Sequence, residues 1–138
     1  MRNLAIAVVD SFADKPFSGN PAAVCLLDSP LSKQEMQAIA MEMNLSETAF
    51  VEKTKEEGSF SLRWFTPTLE IDLCGHATLA SAFWMYAAGW VEEGAGIRFQ
   101  TLSGELRVTK QENLICMDFP LIPTQVAQHP AYDGELFG

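Results

Sequence analysis

The stretch Phe65–Gly89, FTPTLEIDLCGHATLASAFWMYAAG, decides how the rest of the chain is read. Just before it, Ser61–Phe65 (SLRWF) has the alternation of a half-buried strand, and Pro67 closes that strand because proline cannot donate to a ladder. Thr68–Leu73 is a loop with two acids, Glu70 and Asp72. Cys74, Gly75 and His76 then stand at a helix start, where backbone N–H groups lack intrahelical partners and can hold an anion. From Ala77 to Ala88 every residue is apolar or a small hydroxyl. That pattern predicts a helix buried on all sides. About twelve residues at ~1.5 Å each reach only about 18 Å, too short for a bilayer and suited to threading a small β-barrel.

Size and composition bound the rest. A chain of 138 residues, 48% hydrophobic and without low-complexity tracts, is expected to fold as one domain with a modest core. A net charge of −9 argues against nucleic acid or an anionic membrane surface as partner, although a helix N-terminus can still attract a small carboxylate. Cys25, Cys74 and Cys116 are odd in number and far apart, and MRNLAIAVVDSF lacks a long apolar run followed by a small-residue cleavage site. Both features predict a cytoplasmic, disulfide-free protein.

Outward from the central stretch, Leu4–Val9 is an apolar run consistent with a buried opening strand. Gly19, Asn20 and Pro21 make a turn into a second strand, Ala22–Leu27. Asn20 is either a hairpin corner or an amide offered to a ligand. Ser32–Met43 is an amphipathic helix with a capping box, Ser32 with Glu35, and an apolar stripe of Leu31, Met36, Ile39, Ala40 and Met43. The helix ends near Asn44 and Thr48–Glu52 is a short strand, which puts Glu47 on the connection, where a charged side chain is ordinarily solvated. After the polar turn Lys53–Ser59, Phe60–Phe65 returns as a hairpin. Beyond the central helix, Ile97–Thr101, Glu105–Thr109 and Leu114–Phe119 form a meander turning at Ser103–Gly104 and Gln111–Asn113. Seven strands, two helices and short connections predict an α+β fold, a mostly antiparallel β-barrel wrapped around one central buried helix. From Pro120 the residues change in kind. Residues 1–120 are therefore read as a single domain, and 121–138 as a linker whose Asp133–Phe137 has the look of a helix only begun, at the start of a missing second domain.

The candidate chemistry converges on the helix start. A neutral His76 there resists protonation, so it can serve as a hydrogen-bond donor or proton shuttle, or simply as a capping and packing histidine. Cys74, just before a helix N-terminus, is either a thiol of lowered pKa able to act as nucleophile or base, or a buried small hydrophobe. Asp72, Cys74 and His76 are two residues apart with no second ligand pair, so no metal site is expected. Neither phosphate-cradling glycine loops nor a serine-nucleophile signature is present.

Three blocks in order, GNPAAV (Gly19–Val24), NLSETAF (Asn44–Phe50) and FTPTLEIDLCGHATLASA (Phe65–Ala82), resemble the PhzF-like (phenazine biosynthesis-like) family of the diaminopimelate epimerase superfold. The resemblance runs through the closing meander and FPLIP, and it covers only the family's N-terminal half. It implies two similar barrel domains with the active site in the cleft between them, and no cofactor. It implies that Glu47 is the general acid/base that moves a proton along a small carboxylated metabolite, with His76 assisting in hydrogen bonding and proton relay. The backbone at Gly75 and His76 would hold the substrate carboxylate, and Asn20 would line the same cleft. Cys74 aligns with the region of the epimerases' catalytic cysteines, and Asp72 is a secondary candidate beside it. The family's second domain contributes an acidic residue and a glycine-serine anion loop that have no counterpart here, so the chain is expected to hold half a cleft. The alternative is a non-catalytic or truncated barrel domain that self-associates as a homodimer or pairs with a separate second-domain polypeptide.

Overall fold

The computed structural model describes residues 5–9, 21–111 and 114–118. Strand β1 (Ala5–Val9) pairs antiparallel with β2 (Ala22–Leu27), whose run AAVCLL is buried at every position. A strand apolar on both faces must be covered on both. Ala22, Val24 and Leu26 face the main core, whereas Cys25 and Leu27 face a second, smaller one with Met36 and Ala40 of helix α1 (Lys33–Met43). The helix begins as its sequence predicts: Ser32 Oγ accepts from the Glu35 N–H at 3.0 Å, and Glu35 Oε1 accepts from the Ser32 N–H at 2.8 Å. It ends on Asn44 in the left-handed region, φ 54°. Ser32→Ala removes one arm of this box and is expected to cost about 1 kcal/mol, read as a thermal midpoint lowered by a few degrees.

Strand β3 (Glu47–Lys53) lies parallel to β2, then pairs antiparallel with β4 (Ser59–Phe65) through a turn in which Gly58 takes φ 78°. The far edge of β4 is shared. The two-residue strand β5 (Glu70–Ile71) folds back against Trp64 and Phe65, and β6 (Ile97–Thr101) runs parallel along Ser59–Ser61. Helix α2 (Gly75–Ala87) connects them. Strands β7 (Gly104–Gln111) and β8 (Leu114–Asp118) complete the antiparallel meander. Among the described residues the result is one eight-stranded sheet of order β1-β2-β3-β4-β6-β7-β8 with β5 on β4, curled so that α2 packs on β1, β2, β3 and β8. This is the α+β arrangement expected, a curled sheet around one central helix.

Two expectations about the architecture need correction, while the pairing is mostly antiparallel as expected, with β2–β3 and β4–β6 the parallel exceptions. Each is joined through a helix, and a helical crossover returns the chain in the same direction where a short turn cannot. The sheet is a half-barrel, with no pairing of β1 to β8 among the described residues. For the same reason α2 is not buried on all sides. Ala77, Ala80, Ser81, Ala82 and Met85 fill the curl, but Phe83 is 53% exposed on the open side. Among the described residues no helix is long and apolar enough to cross a membrane. Cys25, Cys74 and Cys116 are free thiols. The expectations for Asn20 and for the segment 121–138 lie outside the described residues.

Candidate active site at the start of helix α2

The loop that delivers α2 is pinned at both ends. On one side Arg63 of β4 grips Glu70 of β5 with two hydrogen bonds of 2.8 Å each, from Nε to Oε2 and from Nη2 to Oε1. The Glu70 side chain is only 7% exposed. Its carboxyl is held below the usual glutamate range, first by the Arg63 hydrogen bonds and then by the Arg63 and Lys33 charges. A carboxylate with a depressed folded-state value stabilises the fold above its unfolded value, near pH 4.3, and that stabilisation is lost as the pH falls through the folded value. Denaturant titrations between about pH 3 and 6 are therefore expected to show stability falling with acidification, with a flatter dependence in Glu70→Gln. On the other side Ser103 Oγ, in the β6–β7 turn, donates to the backbone carbonyl of Asp72.

The first turn of α2 is tied to the core through a hydroxyl. Thr78 Oγ1 donates to the Cys74 carbonyl at 2.7 Å and accepts from the buried Trp64 indole N–H at 3.1 Å. Cys74 is the N-cap, extended at φ −149° and ψ 100°, and its Sγ accepts from the Ala77 N–H at 3.4 Å. Part of the amide donor set at this helix start is thus turned on the thiol rather than left open.

Glu47 is the first residue of β3, opposite Ala22 in the parallel ladder, and is not on a connection as expected. The difference is one of boundary, and it matters. In a strand successive side chains alternate faces, so Glu47 shares the face of Ala49 and Val51, which lie in the core around α2. There Oε1 lies 3.5 Å from Cys74 Sγ, with the thiol as donor. Oε2 is buried and has no hydrogen-bond partner among the described residues. A desolvated carboxylate oxygen in this state is chemically conspicuous, since buried polar atoms are otherwise paired.

The thiol departs from the low-pKa reading in a definite direction. Burial, the largest effect, pushes Cys74 up to about 12, and the Glu47 carboxylate adds to the rise. The Ala77 and His76 backbone N–H groups pull the other way and lose. Cys74 is therefore a neutral S–H near pH 7, and the helix-terminus effect is outweighed by desolvation.

The structure brings Glu47, Cys74, Gly75 and His76 to one place, with Gly75 and His76 buried as the first two residues of α2. Asp72 is exposed and joins the loop through its backbone. Among the described residues no group of three or more His, Cys, Asp or Glu could hold a metal ion. Sequence reasoning missed the Thr78 bridge and the Arg63–Glu70 clamp. A hydroxyl four residues after an N-cap was the available signal for the first. Opposite charges on neighbouring strands were the signal for the second.

Residues 9–133 match the family model described as phenazine biosynthesis-like protein. The chain belongs to that family. An uncharacterized isomerase of Pseudomonas aeruginosa is 54% identical over 117 residues, which are 85% of this chain and 44% of that protein. A crystal structure of a phenazine biosynthesis PhzC/PhzF protein from Clostridium difficile superposes with a TM-score of 0.77 at 47% identity, over 91% of this chain and 50% of that one. A predicted epimerase of Pseudomonas aeruginosa, 24% identical with a TM-score of 0.69 over 82% of this chain and 41% of its own, shares the fold. The PhzF-like chain thus spans about half the length of the relatives it matches.

Proposed function

We propose that this chain supplies the Glu47 side of a cofactor-independent proton-transfer site, in an isomerase or epimerase acting on a small carboxylated metabolite. The observation that carries the reading is the buried Oε2 of Glu47 beside the start of α2, without a hydrogen-bond partner among the described residues. A carboxylate so placed can take a proton from an activated C–H: the C–H bond breaks, an Oε2–H bond forms, and the electron pair passes into the adjoining π system. The same proton returns to another carbon or the other face, which leaves the enzyme unchanged. In this reading His76 hydrogen-bonds and relays, the Gly75 and His76 backbone meets the substrate carboxylate, and Asn20 lines the cleft. The name of the Pseudomonas aeruginosa relative, an isomerase, favours the same reaction class.

Residues 1–120 form one domain of this proposed enzyme, and 121–138 lead to a second, for which the length of the relatives leaves room. The site is completed only with that domain, so the isolated chain is inactive or nearly so. The free thiols are consistent with a cytoplasmic setting. The test is solvent-deuterium exchange, followed by proton NMR, into a panel of small α-amino and α-hydroxy acids with the polypeptide as the gene encodes it. Exchange that persists unchanged in Glu47→Gln would sink the assignment.

A second reading draws on the exposed Leu69, Leu73 and Phe83, in and after the loop that enters α2. Apolar groups left in water there favour a non-catalytic half-barrel that forms a homodimer or binds a complementary second domain. Light scattering on the 138-residue chain separates the two, since a monomer at high concentration counts against self-association.

A further inference from the structure

Four observations at the mouth of α2 concern one side chain whose chemistry the proton-transfer reading does not use. Cys74 Sγ lies 3.5 Å from Glu47 Oε1, and no other partner of that oxygen competes among the described residues. Sγ is held in place from behind, where it accepts the Ala77 N–H at 3.4 Å as the N-cap of the helix. The Cys74 backbone is itself anchored, because its carbonyl accepts both the Thr78 N–H at 3.1 Å and the Thr78 hydroxyl, which the Trp64 indole fixes in turn. The thiol carries its proton near neutral pH, so the S–H can only donate toward the carboxylate.

From this geometry we infer that Cys74 is a positioning residue for Glu47: its S–H engages Oε1, fixes the plane of the carboxylate, and leaves Oε2 as the oxygen that exchanges protons with substrate. The inference rests on the reading of Glu47 as general acid/base. It assigns the cysteine neither of the roles that its place before a helix first invites, nucleophile or base. A neutral thiol is a poor nucleophile, and a base must be able to accept a proton that this sulfur already holds. A donor on one oxygen is useful because a carboxylate free to rotate about its terminal torsion, a broad two-fold well, offers its lone pairs in many directions. Alignment to within a fraction of an ångström is what the transfer step requires.

Two measurements test this. The first uses the 138-residue chain and infrared absorption in the S–H stretching region. The band that vanishes in Cys74→Ser belongs to Cys74, and it is expected at lower frequency than those of Cys25 and Cys116. In Glu47→Gln it should move to higher frequency, because a charge-assisted acceptor has been replaced by a neutral one. A band at the same position in the parent chain and Glu47→Gln overturns the inference.

The second uses the gene-encoded polypeptide and the acid of the deuterium-exchange panel that it turns over fastest. Cys74→Ala should lower kcat by roughly ten- to a hundredfold with KM little changed, and Cys74→Ser, which keeps both a cap acceptor and a donor, should recover most of it. Rates are read well below the melting midpoint of each variant, so that loss of the helix cap alone does not register. Full kcat in Cys74→Ala, or no recovery in Cys74→Ser, overturns the inference. Wild-type exchange in Glu47→Gln instead removes the acid/base reading, and the infrared result then stands as a contact without that role.

Discussion

Glu47→Gln is expected to reduce proton exchange by the gene-encoded polypeptide by roughly 10²- to 10⁴-fold, the range over which a positioned acid/base contributes. The amide matches the carboxylate in shape and still accepts from the Cys74 S–H through its oxygen, so the pair at 3.5 Å keeps a hydrogen bond while the proton acceptor is lost. Binding should change little. The drop should therefore sit in kcat, with KM altered by no more than a fewfold. Stability should be nearly unchanged or slightly raised, because the substitution removes a carboxylate oxygen that is buried without a partner among the described residues. Deuterium incorporation followed by NMR gives the rate, and denaturant unfolding gives the stability. A fall in both together would mean that Glu47 holds the fold rather than the reaction.

Trp64→Ala is expected to be the most damaging single change to the fold, costing about 3–5 kcal/mol. Trp64 is fully buried in the main core, on the β4 ladder between Ala49 of β3 and Ile71 of β5. Its removal leaves a cavity against α2 and strips the Thr78 hydroxyl of its indole donor. For a domain whose total stability is about 5–15 kcal/mol, such a loss takes much of the margin. Urea denaturation followed by fluorescence or circular dichroism should show a lowered midpoint, with the slope retained. Trp64→Phe, which keeps most of the volume and loses the N–H, should cost distinctly less. A midpoint in Trp64→Ala close to that of the parent chain would contradict the packing described.

Elements that announce themselves over a few neighbouring residues were legible in advance. The Ser32 and Glu35 box of α1, the unbroken apolar run of β2 and the hairpin between β3 and β4 are all local patterns of spacing and turn chemistry, and all are present. The start of α2 at Gly75, with Cys74 before it, follows equally from a loop that changes abruptly into an uncharged run. Strand direction was less legible. Pairs joined by short turns are antiparallel as expected, but the long crossovers through α1 and α2 make β2–β3 and β4–β6 parallel, and no local pattern announces beside which strand such a crossover returns.

At the site, Glu47 shows the division clearly. Its residue type and its place in NLSETAF mark it by resemblance, but local spacing alone put it on a solvated connection. Only the parallel register with Ala22 sets it at the head of β3, facing the helix. Cys74 shows the same in electrostatics. Its position before a helix allows either a thiol of lowered pKa or a buried small hydrophobe, and burial beside Glu47 pushes it up to about 12.

The sequence by itself determined the family, the two helices and most strands, and the helix start as the place where chemistry gathers. These depend on periodicity, caps and contiguous motifs, which act over a few residues. The tertiary structure alone decided that the sheet is an open half-barrel, that Phe83 faces outward, and that Glu47 meets Cys74 across 27 positions of chain. Contacts between distant residues are set by how the sheet curls and which oxygen is left desolvated, and no local pattern encodes either.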